Sequence, residues 1–216
     1  MKLINSFGPN PRLVRMFMAE KNISLPETEI DILGAENRRA PYTDKNPGGQ
    51  MPALELDDGT YIGETVTICE YLEERHPEPS LIGNTAEARA NTRQWQRRIE
   101  LGITENIYNA FRYAEGYEMF KDRLHCIPEA ADGLKEKAQK GLALLDQQMT
   151  GRKFIAGDDI SLPDIFMYCC LDFSAGVGQS IDPSLSNVSA WFARMAERPS
   201  AKSSLHPASE TVGMRG

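Results

Sequence analysis

The sequence predicts two domains: a small mixed α/β domain with the element order βαβ-ββα, followed by a larger all-helical domain. The length of 216 residues suits one large domain or two small ones. Short strand patterns occur only ahead of Pro77-Glu78-Pro79, and every later pattern has the helical period. We therefore place the first domain at residues 1-79 and the helical domain at residues 86-216.

The first domain opens with a strand at Lys2-Leu3-Ile4-Asn5 and a turn at Gly8-Pro9. A helix is predicted from Pro11 to about residue 22, with Asn10 as its N-cap and Pro11 at the first helical position. The later elements are a strand over 28–32, an irregular polar segment over 36–46, a hairpin over 51–63 around Asp57-Asp58-Gly59-Thr60, and a helix from Thr65 to about His76.

The second domain shows four helical patterns and no strand pattern. The motif Ser161-Leu162-Pro163-Asp164 has the Ser-x-x-acid form of a capping box, and the helix that it opens is apolar on nearly all sides. That helix should therefore be central. The other patterns cover residues 86–114, 128–149 and 187–198, and the polar tail from Ser203 is predicted to be loose.

Composition and charge exclude several classes of function. The chain is 41% hydrophobic and 25% charged, as globular proteins are, and its formal net charge of −7 argues against binding to nucleic acid or to an anionic membrane. No apolar stretch approaches the roughly 18 residues of a membrane helix, and polar residues interrupt residues 1–19. We expect a soluble cytoplasmic protein.

Four cysteines and three histidines show no metal-ligand spacing. We therefore expect no metal site, and we expect the cysteines to be small buried residues in a reducing compartment.

One candidate ligand contact is the segment Gln50-Met51-Pro52 ahead of a strand. A proline at the start of a central strand cannot donate a hydrogen bond to the neighbouring strand, so its presence there calls for an explanation. A cis peptide bond there leaves the backbone N–H and C=O of Met51 available to an extended ligand. The alternative is an ordinary loop proline.

Three further features suit anionic or cationic groups of a ligand. At Glu64-Thr65 the free N–H groups of a helix start and a hydroxyl suit a carboxylate, and Glu64 suits an ammonium. The helix start at Asn10 suits a thiolate, with Asn10 donating a hydrogen bond. Simple capping is the alternative for both. The pair Arg38-Arg39 is either a cation for a second carboxylate or a solvated charge run.

Together these features suit a small peptide that carries a thiol and charged ends. The segments that carry them resemble the cytosolic glutathione S-transferases, in particular the yeast-type second glutathione transferases and their bacterial counterparts. The matching segments are 8–15, 19–23, 46–59, 64–68 and 154–165. The resemblance implies a thioredoxin-like first domain, an all-helical second domain, a homodimer with a role in detoxification, and glutathione as a co-substrate with no other cofactor.

The resemblance also assigns site residues. Met51, before a cis-Pro52, would pair with the cysteinyl backbone of glutathione, and Glu64 and Thr65 would hold its γ-glutamyl end. The glycyl carboxylate would be held by Gln50 together with Arg38 or Arg39.

The chain departs from the family at the position that would contact the thiol of glutathione. Most classes place Tyr, Ser or Cys near the start of the first helix, whereas this chain has Pro9-Asn10-Pro11, and Ser6 lies too early. Asn10 is therefore the expected catalytic residue. The absence of Cys near residue 10 argues against mixed-disulfide chemistry.

The second substrate is expected between the domains, and the residues suit an aromatic or partly anionic electrophile. Its candidate wall residues are Phe7, Tyr108, Arg112 and Tyr113, with Phe111 and Tyr117 nearby; packing in a core or dimer is their alternative role. Two other activities stay open at this point: glutathione-dependent reduction of peroxides or disulfides, and binding of glutathione or apolar ligands without turnover.

Overall fold

The computed structural model describes residues 1–216. The chain forms two compact units, one made of Met1–Leu81 with Pro199–Gly216 and the other of Ile82–Arg198. The break between Leu81 and Ile82 lies within the linker region identified from the sequence. The C-terminal residues group with the first unit, whereas the sequence assignment placed them in the helical domain.

The first unit begins with a four-stranded sheet and three helices. Their bounds are β1 Lys2–Asn5, α1 Pro9–Glu20, β2 Glu27–Glu29, a 3-10 turn Glu36–Arg38, α2 Tyr42–Lys45, β3 Ala53–Glu55, β4 Tyr61–Ile62 and α3 Thr65–Arg75. The strand order is β2-β1-β3-β4. Strand β1 runs parallel to β2 and antiparallel to β3, and β3 and β4 form the predicted hairpin.

The polar segment 36–46 was predicted to be irregular, and this prediction is wrong. It contains the 3-10 turn and α2, which is anchored by the side chain of Tyr42, only 3% exposed. Tyr42 packs in a cluster with Ile4, Met51 and Ala53. The second strand ends at Glu29, earlier than predicted. The N–H of Ile30 still donates to the carbonyl of Asn5 in β1 at 3.0 Å, and the chain then leaves the sheet, with Ile30 and Ile32 packed against this cluster.

A buried ion pair joins α1 to α3. Lys21 Nζ lies 2.6 Å from Glu73 Oε2, and both side chains are almost completely buried. The other carboxylate oxygen of Glu73 accepts the N–H of Leu81 at 2.9 Å, and Lys21 also donates to the carbonyl of Pro79. The pair thus fixes the chain that leaves the first unit.

The second unit is all-helical, as predicted. Its helices are α4 Ala86–Ile99, α5 Glu105–Tyr113, α6 Tyr117–Phe120, α7 Ala131–Gln148, α8 Leu162–Gly176 and α9 Ser186–Ala196, with a 3-10 turn at Pro128–Ala130. The pattern over 86–114 was predicted as one helix, but a π-helical turn, Glu100–Thr104, separates α4 from α5. The amide of Asn106 donates to the carbonyls of Leu101 and Gly102 at this turn.

The predicted capping box at the start of α8 is confirmed. One carboxylate oxygen of Asp164 accepts from the N–H and the hydroxyl of Ser161, at 3.0 and 2.8 Å. The other accepts from the N–H of Ile155 and from Nε1 of Trp191, each at 2.9 Å. Asp164 is fully buried, and burial raises its pKa. Helix α8 is buried along nearly its whole length, as its apolar sequence predicted.

The C-terminal segment contains two short helices, α10 Pro199–Ser203 and α11 Ala208–Val212, so the prediction of a loose tail is wrong. The reason lies in α1. The fully buried guanidinium of Arg12 donates to the carbonyl of Ala201 at 3.0 Å and reaches the hydroxyl of Ser204 at 3.4 Å. Arg15 donates to the carbonyl of Ser204 at 2.9 Å.

The end of this segment returns to the turn before α1. Nε2 of His206 lies 3.0 Å from a carboxylate oxygen of Glu29, and its ring contacts Phe7. The N–H of His206 donates to the carbonyl of Gly216, and a Cβ on Gly216 would come within 2.8 Å of the backbone of Gly8.

Cys69, Cys169 and Cys170 are buried, as expected, but Cys126 is partly exposed. None of the helices combines the length and the hydrophobicity that spanning a bilayer requires.

We predict that Asp164→Asn lowers the free energy of unfolding by about 2–4 kcal/mol, because an amide cannot accept from all four donors around Asp164. Asp159→Asn, an exposed change in the preceding loop, is the control and should stay within about 0.5 kcal/mol of the parent. The measurement is urea denaturation followed by tryptophan fluorescence. Equal stability of the two variants would contradict the assigned role of Asp164.

Candidate functional site

Three turns of the first unit meet at one end of the sheet. Ile4 of β1 pairs with Ala53 of β3, and Leu54 pairs with Ile62 of β4. Because β3 is antiparallel to both neighbours, its first residue lies beside the last residues of β1 and β4. The turn that starts α1, the Met51-Pro52 segment and the turn that starts α3 are thereby gathered at this end.

The first of these turns differs from its prediction. Helix α1 begins at Pro9, and its N-cap is Gly8, with φ of 133°, a backbone conformation that favours glycine. Asn10 therefore lies inside the first helical turn, and its predicted N-cap role is wrong. Its side chain is partly exposed and makes no hydrogen bond within the chain.

The two prolines change what the start of α1 offers to a ligand. Pro9 and Pro11 have no N–H, so Asn10 supplies the only backbone N–H among the first three helical residues. The side-chain amide of Asn10 adds further donors to those of the backbone. The helix start thus presents donors from Asn10 alone, in the positive field of the helix.

The turn before α3 also keeps its polar side chains for other partners. Glu64 is the N-cap residue and has a positive φ of 64°, which is uncommon outside glycine. Its carboxylate is exposed and makes no cap hydrogen bond, and Thr65 is the first helical residue. Thr65 is therefore not the N-cap that the alternative interpretation assumed, whereas the exposed Glu64 carboxylate agrees with that interpretation, and a role toward a ligand stays a prediction.

The peptide bond between Met51 and Pro52 is cis, as the resemblance implied. Met51 lies outside the ladder of β3, which begins at Ala53, and its backbone N–H and C=O make no hydrogen bond within the chain. Its side chain is 5% exposed and packs against Ile4 and Tyr42. The side chain is thus fixed while the backbone polar groups stay available.

The residues predicted to hold a second carboxylate follow β2 or precede Met51. Arg38 is partly buried and donates from Nη1 to the carbonyl of Gly48 at 3.2 Å, whereas Arg39 is exposed. The Gln50 side chain is exposed as well. Their role toward a ligand stays a prediction.

The residues predicted to contact a second substrate divide between the units. Phe7 lies in the first unit and is 7% exposed. Tyr108, Arg112 and Tyr113 lie on α5 in the second unit. Tyr108 is 5% exposed and contacts Phe173, and burial raises its pKa well above its ordinary value.

The guanidinium of Arg112 lies 6.0 Å from the ring of Tyr108 and donates to the side-chain oxygen of Asn109. Phe111 packs edge-on against Phe120 and Phe173, as a core residue does. Contact of these residues with a second substrate stays a prediction.

Sequence reasoning missed the polar residues that hold the loop ahead of Met51, namely Asn37, Tyr42 and Asn46. A signal was present for two of them. Tyr42 is the one aromatic side chain in the polar segment 36–46, and Asn46 stands directly before Pro47-Gly48-Gly49.

Comparison with known proteins agrees with this geometry. Residues 5–80 match the model of the glutathione S-transferase N-terminal domain, and residues 125–199 match that of the C-terminal domain. Glutathione S-transferase 2 of Saccharomyces cerevisiae is 32% identical over 197 residues, which cover 90% of this chain and 84% of that protein. This chain belongs to the glutathione S-transferase family.

Solved structures of two family members are similar throughout. The crystal structure of Gtt2 from Saccharomyces cerevisiae has a TM-score of 0.89 and 31% identity, covering 95% of this chain and 100% of the other. A glutathione S-transferase from Methylobacillus flagellatus, solved with glutathione bound, has a TM-score of 0.79 and 27% identity, covering 94% and 98%. The predicted fold, a thioredoxin-like unit followed by a helical one, is thereby confirmed.

We predict that Asn10→Ala changes the free energy of unfolding by less than about 0.5 kcal/mol, because the side chain caps nothing and alanine favours the helix. Thr85→Ala is the matched control. The hydroxyl of Thr85 accepts the N–H of Ala88 at the start of α4, and its loss should cost about 1 kcal/mol. Chemical denaturation of both variants is the measurement, and a larger loss for Asn10→Ala would contradict the structural assignment.

Proposed function

We propose that this glutathione S-transferase binds glutathione at the end of the first unit's sheet, stabilises its thiolate at the start of α1 and adds the sulfur to a small electrophile. The observation that supports this most strongly is the start of α1, where Asn10 keeps its backbone N–H and side-chain amide free of partners in the chain.

The three turns suit the three parts of glutathione. The free N–H and C=O of Met51 suit the cysteinyl backbone, and Glu64 with Thr65 at the start of α3 suits the amino and carboxylate groups of the γ-glutamyl end. Gln50 and either Arg38 or Arg39 suit the glycyl carboxylate. Of the two arginines, Arg39 is the more exposed.

The chemistry needs no further group from this chain. The thiol loses its proton to solvent, and the thiolate sulfur attacks an electrophilic carbon so that a C–S bond forms. The electron pair displaced from that carbon leaves with a departing group or moves onto a conjugated acceptor. Asn10 acts only on the thiolate, by donating hydrogen bonds to the sulfur.

The interactions at the start of α1 are strong enough to lower the pKa of the glutathione thiol. A thiol pKa lowered by two units requires about 2.7 kcal/mol of preferential thiolate stabilisation. A hydrogen bond to a charged group contributes about 1.5–3 kcal/mol, and the field of a helix start adds about 0.3–1 kcal/mol. Asn10 and α1 can thus replace the hydroxyl or thiol that most classes use.

The electrophile is proposed to contact Phe7, Tyr108, Arg112 and Tyr113. Rings and one guanidinium suit an aromatic or partly anionic compound. Arg112 is partly exposed, so its charge is open to an anionic group, whereas Tyr108 would contribute only through a buried ring. We further propose a cytoplasmic role in detoxification.

We predict saturable binding of glutathione in a calorimetric titration, and a thiol pKa well below that of free glutathione in the bound state. The thiol pKa of bound glutathione is measured from the thiolate absorbance as a function of pH. Asn10→Ala should keep the dissociation constant within about threefold and raise the bound thiol pKa by about one unit, with a tenfold loss of turnover at low pH.

Glu64→Gln should weaken binding about tenfold, and Glu74→Gln, an exposed change on α3, should not.

The possible outcomes separate the activities. Binding with an unshifted thiol pKa would favour a reductase or a carrier over the transferase. No binding at millimolar glutathione would exclude the transferase, the reductase and a glutathione carrier.

We predict a homodimer in solution, with a mass about twice the chain mass of 24.1 kDa by light scattering. The prediction rests on the homodimer that the family resemblance implies. A mass equal to one chain at micromolar concentration would contradict this.

A further inference from the structure

The loop ahead of Met51 is held by its carbonyl groups. Three consecutive carbonyls, outside any strand, each accept a hydrogen bond from a side chain of the segment 37–46. The bonds are Arg38 Nη1 to Gly48 O at 3.2 Å, Asn37 Nδ2 to Gly49 O at 2.6 Å, and both Asn46 Nδ2, at 2.9 Å, and the Tyr42 hydroxyl to Gln50 O. The last carbonyl in the row therefore has two donors.

The Gln50 carbonyl controls the direction of its neighbour's N–H. A trans peptide group is planar, and its C=O and N–H point to opposite sides. The bond between Gln50 and Met51 is not among the cis peptides of the chain. The donors that fix the Gln50 carbonyl therefore also aim the Met51 N–H away from them, on the opposite side of the peptide plane.

Asn46 reaches the turn before α3 as well. A Cβ on Gly63 would lie 3.6 Å from Nδ2 and 3.7 Å from Oδ1 of Asn46, so the amide packs directly against this residue. Gly63 precedes Glu64. One side chain thus contacts two of the three turns that gather at the end of the sheet.

The two donors also support each other. The amide of Asn46 lies 3.2 Å from the hydroxyl oxygen of Tyr42 and donates to it, while that hydroxyl donates to Gln50. Such coupled hydrogen bonds strengthen one another. Burial raises the pKa of Tyr42, so the phenol keeps its proton at neutral pH and stays a donor.

We propose that Tyr42 and Asn46 are positioning residues for glutathione, acting by holding the Gln50 carbonyl so that the Met51 N–H is aimed at the cysteinyl backbone. They touch no substrate atom. The inference rests on the proposed function, in which the cysteinyl backbone of glutathione is the hydrogen-bond partner of the Met51 N–H. It predicts that the two side chains govern the affinity for glutathione and leave the chemical step alone.

The test compares Tyr42→Phe, Asn46→Ala and the double variant with the parent. Tyr42→Phe keeps the buried ring and removes one donor, and should raise the dissociation constant for glutathione about threefold. Asn46→Ala removes a donor and the contact with Gly63, and should raise it about tenfold. The double variant should lose less than the product of the two, because each single change already removes the coupling between the donors, while kcat at saturating glutathione stays within about twofold. Asp44→Ala, an exposed change on the same short helix, should match the parent.

A second readout separates positioning from a purely structural role. The amide signal of Met51 in a 15N-labelled protein should shift in each variant, and its hydrogen exchange in the presence of saturating glutathione should accelerate. Unchanged affinity and an unchanged Met51 signal in folded variants would overturn the positioning role and leave the proposed function intact. If the parent itself does not bind glutathione, the proposed function fails and this inference falls with it.

Discussion

A charged side chain that leaves water needs partners inside the protein, and this constraint determines how the helices of this chain are joined. Arg12 is fully buried and donates to the carbonyl of Ala201 in α10. Lys21 and Glu73 satisfy each other between α1 and α3. Asp164 accepts four hydrogen bonds and so ties the start of α8 to the preceding loop and to α9. Each buried charge thus lies where two elements of the chain are joined. Removing one partner would leave the other buried without a hydrogen bond.

The candidate site differs in that some of its polar groups have no hydrogen-bond partner within the chain, namely the Asn10 amide, the Met51 backbone groups and the Glu64 carboxylate. Helix starts leave N–H groups unpaired, and a chain that leaves a sheet exposes its backbone. Asn10, Met51 and Glu64 each stand at such a point. The strand order of the sheet brings these three residues to one end. The packing of Met51 and Tyr42 in one buried cluster holds the backbone at that end. The proposed ligand, with charges at both ends and a thiol between them, would supply partners for these groups.

The sequence was informative where one local pattern dominates. Helical periodicity, the Ser161–Asp164 box and the hairpin were all predictable, because each depends on neighbours in the chain. The start of α1 was placed two residues late, because Gly8 rather than Asn10 provides the cap geometry. Glycine and asparagine are both favoured N-cap residues, and the choice between them depends on the backbone path out of β1.

Long-range contacts explain the remaining differences. The tail folds because Arg12 and Arg15 of α1 need acceptors far along the chain. The site residues predicted in the first unit do lie at the ends of its elements, since motif and topology agree there. The loop donors Tyr42 and Asn46 escaped prediction, because their acceptor is a backbone carbonyl, which carries no residue identity.

The return of α10 to α1 also has a consequence for synthesis on the ribosome. The first unit is interrupted in sequence by the whole of the second, from Ile82 to Arg198. At about 5–20 residues per second, roughly 6–24 s pass between the emergence of the two parts. During that interval the guanidinium of Arg12 has no α10 to bind. The unit that is translated first is therefore completed last, after the helical unit has had time to fold.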